Sequence, residues 1–405
     1  MRLKSLPGLA LIFFALPTGA GADSQFASNG LGIGLQPTHV RGWTMGGLGV
    51  ALNDTLRLSL ANPAGPGGYR EVSLNILYLA DRRTAKDATG EEFITSSGFP
   101  LFEFLIPFGS RFAAGFGYAL EQDMGTARTR IPLGSGEEIG EGVPSYDRFF
   151  ERRGALFRVP GVLAFRFFRD LRFGIRLDNY FFNVEEDYNL VFDDSSILPT
   201  KERLLLSGSG TGGTAGLMIP IGAIGHFGFV YSTEAALDVD REREGASGTV
   251  SSERIEIGLP ERIGAGVSFQ YDRWTIGAEI RTAAWGDVND TLAALGGYED
   301  VTGWSVGLER MPRRGDPWIL GLPVRAGFRV DPLPLLAEEG GEIARWSVSF
   351  GSGFPIGVRR SFCDFGLEYG RIGSEEEVGL EEGYYRFLVG FTAQEPWRRR
   401  KSYVE

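Results

Sequence analysis

The sequence predicts an all-β protein: a transmembrane antiparallel β-barrel of about 14 strands with an N-terminal plug (hatch) segment. Three observations lead there. Apolar residues alternate with a second face made of glycine and scattered charges. The connections between strand candidates alternate short and long. The chain starts like an exported protein, and no later apolar run approaches the ~18 residues a membrane-spanning helix needs. Composition agrees. Glycine supplies 59 of 405 residues, about twice its usual share of ~7%. Hydrophobics at 43% and charged residues at 23% exclude wholesale disorder.

The first element is an address. Arg2 and Lys4 precede the apolar run Leu6–Leu16, and Ala20-Gly21-Ala22 offers a small-residue cleavage site. Residues 1–22 therefore read as a signal peptide. Its removal takes away two basic residues and no acid, moving the formal charge from -11 to -13. No cysteine follows the site, which excludes a lipoprotein anchor.

Residues 23–69 do not alternate. They are Gly-rich, with Pro37, Pro63 and Pro66, and carry Met45-Gly46-Gly47-Leu48-Gly49 and then Asn62-Pro63-Ala64-Gly65. This is not a phosphate loop, since no Lys-Ser/Thr follows and no βαβ unit is present. Glycine here permits tight turns and close backbone approach, and a compact segment of this kind can fold back into a barrel as a plug.

Residues 70–392 read as the barrel, with strand candidates near 70–80, 99–107, 110–122, 154–168, 171–186, 203–220, 223–237, 255–270, 273–284, 301–310, 322–331, 342–354, 361–370 and 383–392. Leu171, Phe173, Ile175 and Leu177 oppose Arg172, Gly174 and Arg176; Trp274, Ile276, Ala278 and Ile280 oppose Thr275, Gly277, Glu279 and Arg281. Period two with one apolar face is the strand signal. Small and charged residues on the other face suit a crowded polar lumen, with the apolar face toward lipid. A soluble β-sandwich also alternates, so a soluble periplasmic protein remains the third alternative. The tight connections 107–110, 168–171, 220–223 and 271–273 fit periplasmic turns, and the polar stretches 123–153, 187–202, 238–254 and 285–300 fit outer loops. Trp285, Trp304, Trp346 and Tyr384–Tyr385 fall at outer strand ends, and Trp274, Trp318 and Trp397 at periplasmic ends, as two interfacial girdles. Residues 393–405 form a periplasmic tail whose Arg398–Lys401 run suits lipid headgroups.

The motifs carry a resemblance. RGWTMGGLGVAL…LSLANPAGPGGY resembles the N-terminal hatch of the FadL-like outer-membrane transport proteins. LPERIGAGVSFQYDRWTIGAEIRTAAWGDV (259–288) resembles their late hairpin, and the end YYRFLVGFTAQEPWRRRK (384–401) resembles the last strand and basic tail of related barrels. The resemblance implies a fourteen-stranded barrel with an N-terminal plug. It also implies passive uptake of hydrophobic small molecules, classically long-chain fatty acids, across the bacterial outer membrane. Gly46, Gly47, Gly49, Asn62, Pro63 and Ala64 match the hatch motif. The family's third strand kinks inward to open the wall; Gly115 and Gly117 lie in the third strand here and suit such a kink, or simply a crowded lumen face.

No catalytic constellation emerges. There is no Gly-x-Ser-x-Gly elbow, and His39 and His226 read as structural residues. One cysteine, Cys363, excludes a disulfide framework. The acidic runs Glu185-Glu186, Asp193-Asp194 and Glu375-Glu376-Glu377 read as solvated outer loop, with divalent cations as the alternative. No enzyme activity, cofactor or metal is implied. An acidic chain with pI about 5.0 argues against nucleic acid. The expected partners are outer-membrane lipid and a hydrophobic ligand; oligomeric state is not legible. Arg172, Arg176, Asp178, Glu279, Arg281, Arg325, Arg329, Asp364 and Glu368 should face the lumen. Their mixed signs suit salt bridges that hold a plug; alternatively Arg325, Arg329, Arg172 or Arg176 meets a ligand carboxylate. The alternative function is a structural or secretion-associated barrel of the same fold that transports nothing.

Overall fold

A computed structural model describes residues 24–396, apart from 29, 37, 89, 132–145, 193–195, 197, 246–247, 249, 287, 289–296, 314, 318–320, 337–341 and 358–360. The signal peptide expected at residues 1–22, Asp193-Asp194, Trp318, Trp397 and the basic tail lie outside the described residues.

Fourteen strands close into one antiparallel barrel. They are β1 (Val72–Asp87), β2 (Gly90–Phe108), β3 (Phe112–Asp123), β4 (Tyr146–Arg166), β5 (Arg172–Phe192), β6 (Thr200–Ile221) and β7 (Gly225–Ser232). Then come β8 (Arg262–Tyr271), β9 (Trp274–Ala283), β10 (Val301–Arg310), β11 (Val324–Val330), β12 (Arg345–Ile356), β13 (Ser361–Ser374) and β14 (Leu380–Glu395). Each pairs with its sequence neighbours, and β14 returns to β1 through Val72↔Glu395 to Asp87↔Leu380. Closure leaves no free sheet edge in the bilayer, where an unpaired backbone group would have no water to bond.

The outer face is apolar where lipid lies. Leu163, Ile175, Leu177, Ile276, Phe350 and Leu367 are each at least half exposed. Their inward neighbours Arg172, Arg176, Glu279, Arg325 and Glu368 are buried. Tyr385, Trp304 and Trp274 point outward as interfacial rings. Trp285 and Tyr384 do not join them: both are buried inside the barrel, because odd-even alternation puts Tyr384 inward when Tyr385 faces out.

The strands outrun the sequence expectation on one side. β1 and β2 continue to Asp87↔Gly90, past the strand bounds expected at 80 and 99. Glu185 and Glu186 lie within β5, not in a loop. Beyond β7 the chain breaks its ladder at 233–234 and continues as Ala235–Glu244, which pairs with Val250–Leu259 before β8. The wall is therefore uneven. β4, β5 and β6 have 21, 21 and 22 residues, whereas β9, β10 and β11 have 10, 10 and 7. At ~3.3 Å per residue and a tilt of about 40°, ten residues cover roughly the ~25 Å apolar band, and twenty-one rise well above it.

Above the membrane the polarity of the tall side inverts. Phe182 and Val184 stay inward and buried while Asn183 and Glu185 face out. With Leu31, Met124, Leu206, Leu237, Val239, Ile257 and Trp285 they form an apolar cluster roofing the lumen.

Candidate functional site: the lumen and its N-terminal segment

The segment 24–69 lies inside the barrel. Only short pieces are regular: helical turns at Gln25–Ser28, Val40–Trp43 and Gly65–Gly68, and the pair Ile33–Gly34, which bonds to 122–123 of β3. Such a chain cannot satisfy its own backbone, and a buried unpaired N–H or C=O costs about 1–3 kcal/mol. The wall supplies the missing partners in both signs.

Wall carboxylates take the donors. Glu279 Oε1 of β9 accepts three consecutive backbone N–H groups, from Gly49, Val50 and Ala51, at 2.8, 2.7 and 3.2 Å. Glu103 of β2 accepts Leu60 N–H at 2.8 Å. Glu368 of β13 accepts the Trp43 indole N–H at 2.8 Å, and Glu382 of β14 accepts the Ser24 hydroxyl at 2.7 Å. Wall arginines serve the carbonyls. Arg176 donates to Leu60 O at 2.9 Å, Arg281 to Gly47 O at 2.7 Å, and Arg152 to Ala27 O and Gly30 O at 2.9 and 2.8 Å. One chain of alternating charge runs from segment to wall and back: Arg41, Glu309, Arg325, Asp364, Arg57. Arg41 Nε lies 3.0 Å from both Glu309 oxygens, Arg325 bridges Glu309 and Asp364 at 2.8 Å each, and Arg57 meets Asp364 at 2.6 Å. Removing one member of a buried pair strands the other and costs about 3–5 kcal/mol.

Glycines make the fit possible. Gly46 and Gly47 turn the segment with φ of 80° and 83°. Their loop lies flat on the paired wall glycines Gly307 and Gly327, where a Cβ would overlap the Met45–Gly46 backbone. Pro63 and Ala64 rest in the same way on the paired Gly174 and Gly216. Asn62 fastens that end: its Nδ2 donates to Val50 O at 2.7 Å and to Leu217 O at 3.2 Å, and its Oδ1 accepts from Ala64 N–H at 2.9 Å. Gly49 packs its Cα side against Ala61.

The arginines singled out in the sequence all face inward. Arg325 is wholly buried between Glu309 and Asp364. Arg329 Nη2 donates to Glu368 at 3.2 Å. Arg172 donates to Asp170 at 3.1 Å and to Asn53 Oδ1 at 2.9 Å. Arg176 is bound to Asp178 at 2.7 Å. His226 lies near the periplasmic rim, 3.8 Å from Asp170. His39 lies 3.6 Å from Asp54 inside the segment. Burial pushes the His39 imidazole below its ordinary 6.5 despite Asp54. Burial opposes ionisation of Asp54, yet Arg41, His39 and Arg57 outweigh it and hold that carboxyl well below 3.8. The sequence reading missed Glu103, Glu309 and Glu382 in the wall and Arg41 and Arg57 in the segment. Glu103, flanked by outward Phe102 and Phe104, carried the same alternation signal as the residues that were found.

Between the segment and the apolar roof lies a cavity of about 180 Å³. Val50, Ala61, Arg158, Arg176 and Arg281 line its lower part; Ala283, Trp285, Val301 and Leu333 line its upper part together with Arg262, Asp331 and Arg345. Arg158 and Glu121, 3.0 Å apart, form its β3–β4 side. Nearby the wall ladder is interrupted. β3 and β4 pair through Phe116↔Gly161 and resume at Ala119↔Arg158, leaving Gly117 and Tyr118 opposite Val159 and Pro160 without a ladder pair. Pro160 has no N–H to donate. Gly115 keeps its partners on both sides, Leu105 and Val162.

The BamG family model matches residues 5–403. No curated protein matches the chain in sequence. Solved structures do match in fold. The CymD monoaromatic hydrocarbon channel is 17% identical, with a TM-score of 0.57 over 89% of this chain and 98% of its own. The Ralstonia pickettii toluene transporter TbuX is 17% identical, with a TM-score of 0.56 over 90% and 98%. A Pseudomonas aeruginosa FadL homologue is 13% identical, with a TM-score of 0.62 over 91% and 100%. The fold is thus that of the FadL-like outer-membrane barrels, as the hatch and hairpin motifs imply.

Proposed function

The chain belongs to the BamG family, and from that premise and its FadL-like barrel we propose that it takes up hydrophobic small molecules passively across the bacterial outer membrane. One observation carries the reading: the 180 Å³ cavity under an apolar roof, beside a break in the wall ladder. By volume, a cavity of about 150 Å³ holds a benzene-sized molecule; here Arg158, Arg176, Arg262, Arg281 and Asp331 share the lining, so the apolar contact comes from the Ala283–Trp285 side. A ring-sized hydrocarbon therefore fits this closed form, and a long acyl chain needs the segment to move. Ligand class of this size agrees with what the CymD and TbuX structures are described as carrying.

In this reading residues 24–69 are the plug, with Gly46, Gly47, Gly49, Asn62, Pro63 and Ala64 as its seat on the wall. Arg172, Arg176, Arg325 and Arg329 act as plug clamps: wall acids engage all four, Arg172 and Arg176 also bond Asn53 and Leu60 O of the segment, and Arg325 and Arg329 act through Glu309, Asp364 and Glu368. Gly117 and Pro160 mark the lateral exit, with Gly115 giving clearance to Leu60. The test is binding by the detergent-purified barrel. Native mass spectrometry should find one toluene-sized ligand retained, and Ala283→Trp, which fills the cavity, should lose it. A barrel that retains neither a ring-sized hydrocarbon nor a fatty acid overturns the reading.

A second reading has its own support. The segment is clamped at six wall carboxylates, Glu103, Glu279, Glu309, Asp364, Glu368 and Glu382. So many clamps suit a permanently closed barrel that serves as a structural or secretion-associated scaffold.

A further inference from the structure

The outer wall carries a groove unconnected with the lumen. It crosses β2, β1, β14, β13 and β12 and has a volume of about 470 Å³. Two rows of side chains form it, set by register. Ala80, paired with Phe387, and Phe387, paired with Leu367, make the lower row; Arg82, paired with Tyr385, and Tyr385, paired with Tyr369, make the upper row. The small Ala80 among large neighbours creates the depression. The lower row belongs to the lipid-facing band and the tyrosine row to the outer interface, so the groove straddles the level where acyl chain meets headgroup.

The charge at this level is specific. Two nearby outward cations are spoken for: Lys86 pairs with Glu375 and Arg371 with Glu381. Arg82 is exposed, lies 5.7 Å from the Phe93 ring centroid, and makes no ion pair among the described residues. A guanidinium fork held over an aromatic ring beside an apolar trough is complementary to a phosphate on a hydrocarbon chain.

We propose that this groove binds a phosphate-bearing lipid of the outer leaflet, with an acyl chain along the Ala80–Phe387–Leu367 floor and the phosphate on Arg82. The site is independent of the plug and of any cargo.

The test uses the delipidated full-length barrel in detergent, titrated with lipid A and with its dephosphorylated form and read by native mass spectrometry. Heat-modifiable gel migration checks that each variant is folded. The native barrel should favour the phosphorylated lipid by about tenfold, the worth of one charge-assisted hydrogen bond. Arg82→Gln should abolish the preference, Arg82→Lys should restore part of it, and Ala80→Trp should lose both lipids. Arg371→Gln, at a cation already paired, should behave as the native chain. Equal binding of the two lipids by the native barrel, or an unchanged preference in Arg82→Gln, overturns the proposal.

Discussion

The lower and upper halves of the lumen are built on opposite principles. Below the cavity, an irregular segment is held by buried charges and by glycines that let two backbones touch. Above it, long strands of the tall side pack an ordinary apolar cluster around Phe182, Leu206 and Leu237. The difference follows from what each half must bury. A turn-rich segment brings unpaired N–H and C=O groups, which only polar partners can satisfy. Strands bring their own ladder, so their inward side chains are free to be apolar. The lower half should therefore be brittle, failing when one partner is lost, whereas the upper half should weaken in proportion to the surface removed.

The largest expected effect comes from the triple clamp. Glu279→Ala leaves three segment N–H groups without their acceptor and removes the carboxylate partner of Arg281. It should cost about 3–5 kcal/mol and expose residues 24–69 to protease while the barrel still migrates as folded. Protection equal to the native chain would break the contrast. Next, Gly327→Leu should unseat the Gly46–Gly47 loop by overlap, with the same protease signature and no loss of charge.

In the upper half, Phe182→Ala should cost about 3–5 kcal/mol in thermal unfolding, the usual loss for a buried ring. It should leave the segment's protease protection intact, which separates the two halves directly.

Acid should act on the lower half through His39 and Asp54. His39 is held neutral, so the unfolded segment binds its proton first as pH falls below 6.5. Asp54 has a lowered value, so its contribution is present above 3.8 and is lost as pH falls toward its folded value. The His39 effect falls between pH 7.5 and 5, so segment protection should decline over that range, and the Asp54 loss should follow only below about pH 3.8. His39→Gln should flatten that decline. The smallest effect is expected at the wall: Pro160→Val supplies the missing N–H, and if the ladder then closes opposite Gly117, ligand exchange should slow several-fold without a change in stability.

The sequence displayed one half far better than the other. Alternation named Arg172, Arg176, Glu279, Arg325, Arg329, Asp364 and Glu368 as inward, and each is buried. The hatch motif marked Asn62–Ala64, whose Asx turn sits on the Gly174–Gly216 pair. Arg41 and Arg57 were not legible, because a segment without period gives no phase to place them. The height of the tall side was also hidden. The sequence places a strand at 171–186, but β5 runs on to Phe192, and the polar Asp187, Tyr188 and Asn189 there read as loop.

The most direct test of the central claim is uptake of a radiolabelled ring-sized hydrocarbon by cells producing the barrel at measured surface levels. The account predicts entry above that of cells lacking it, lost in Ala283→Trp while segment protection and thermal stability stay unchanged. Entry equal to that of cells without the barrel would contradict it and leave the scaffold.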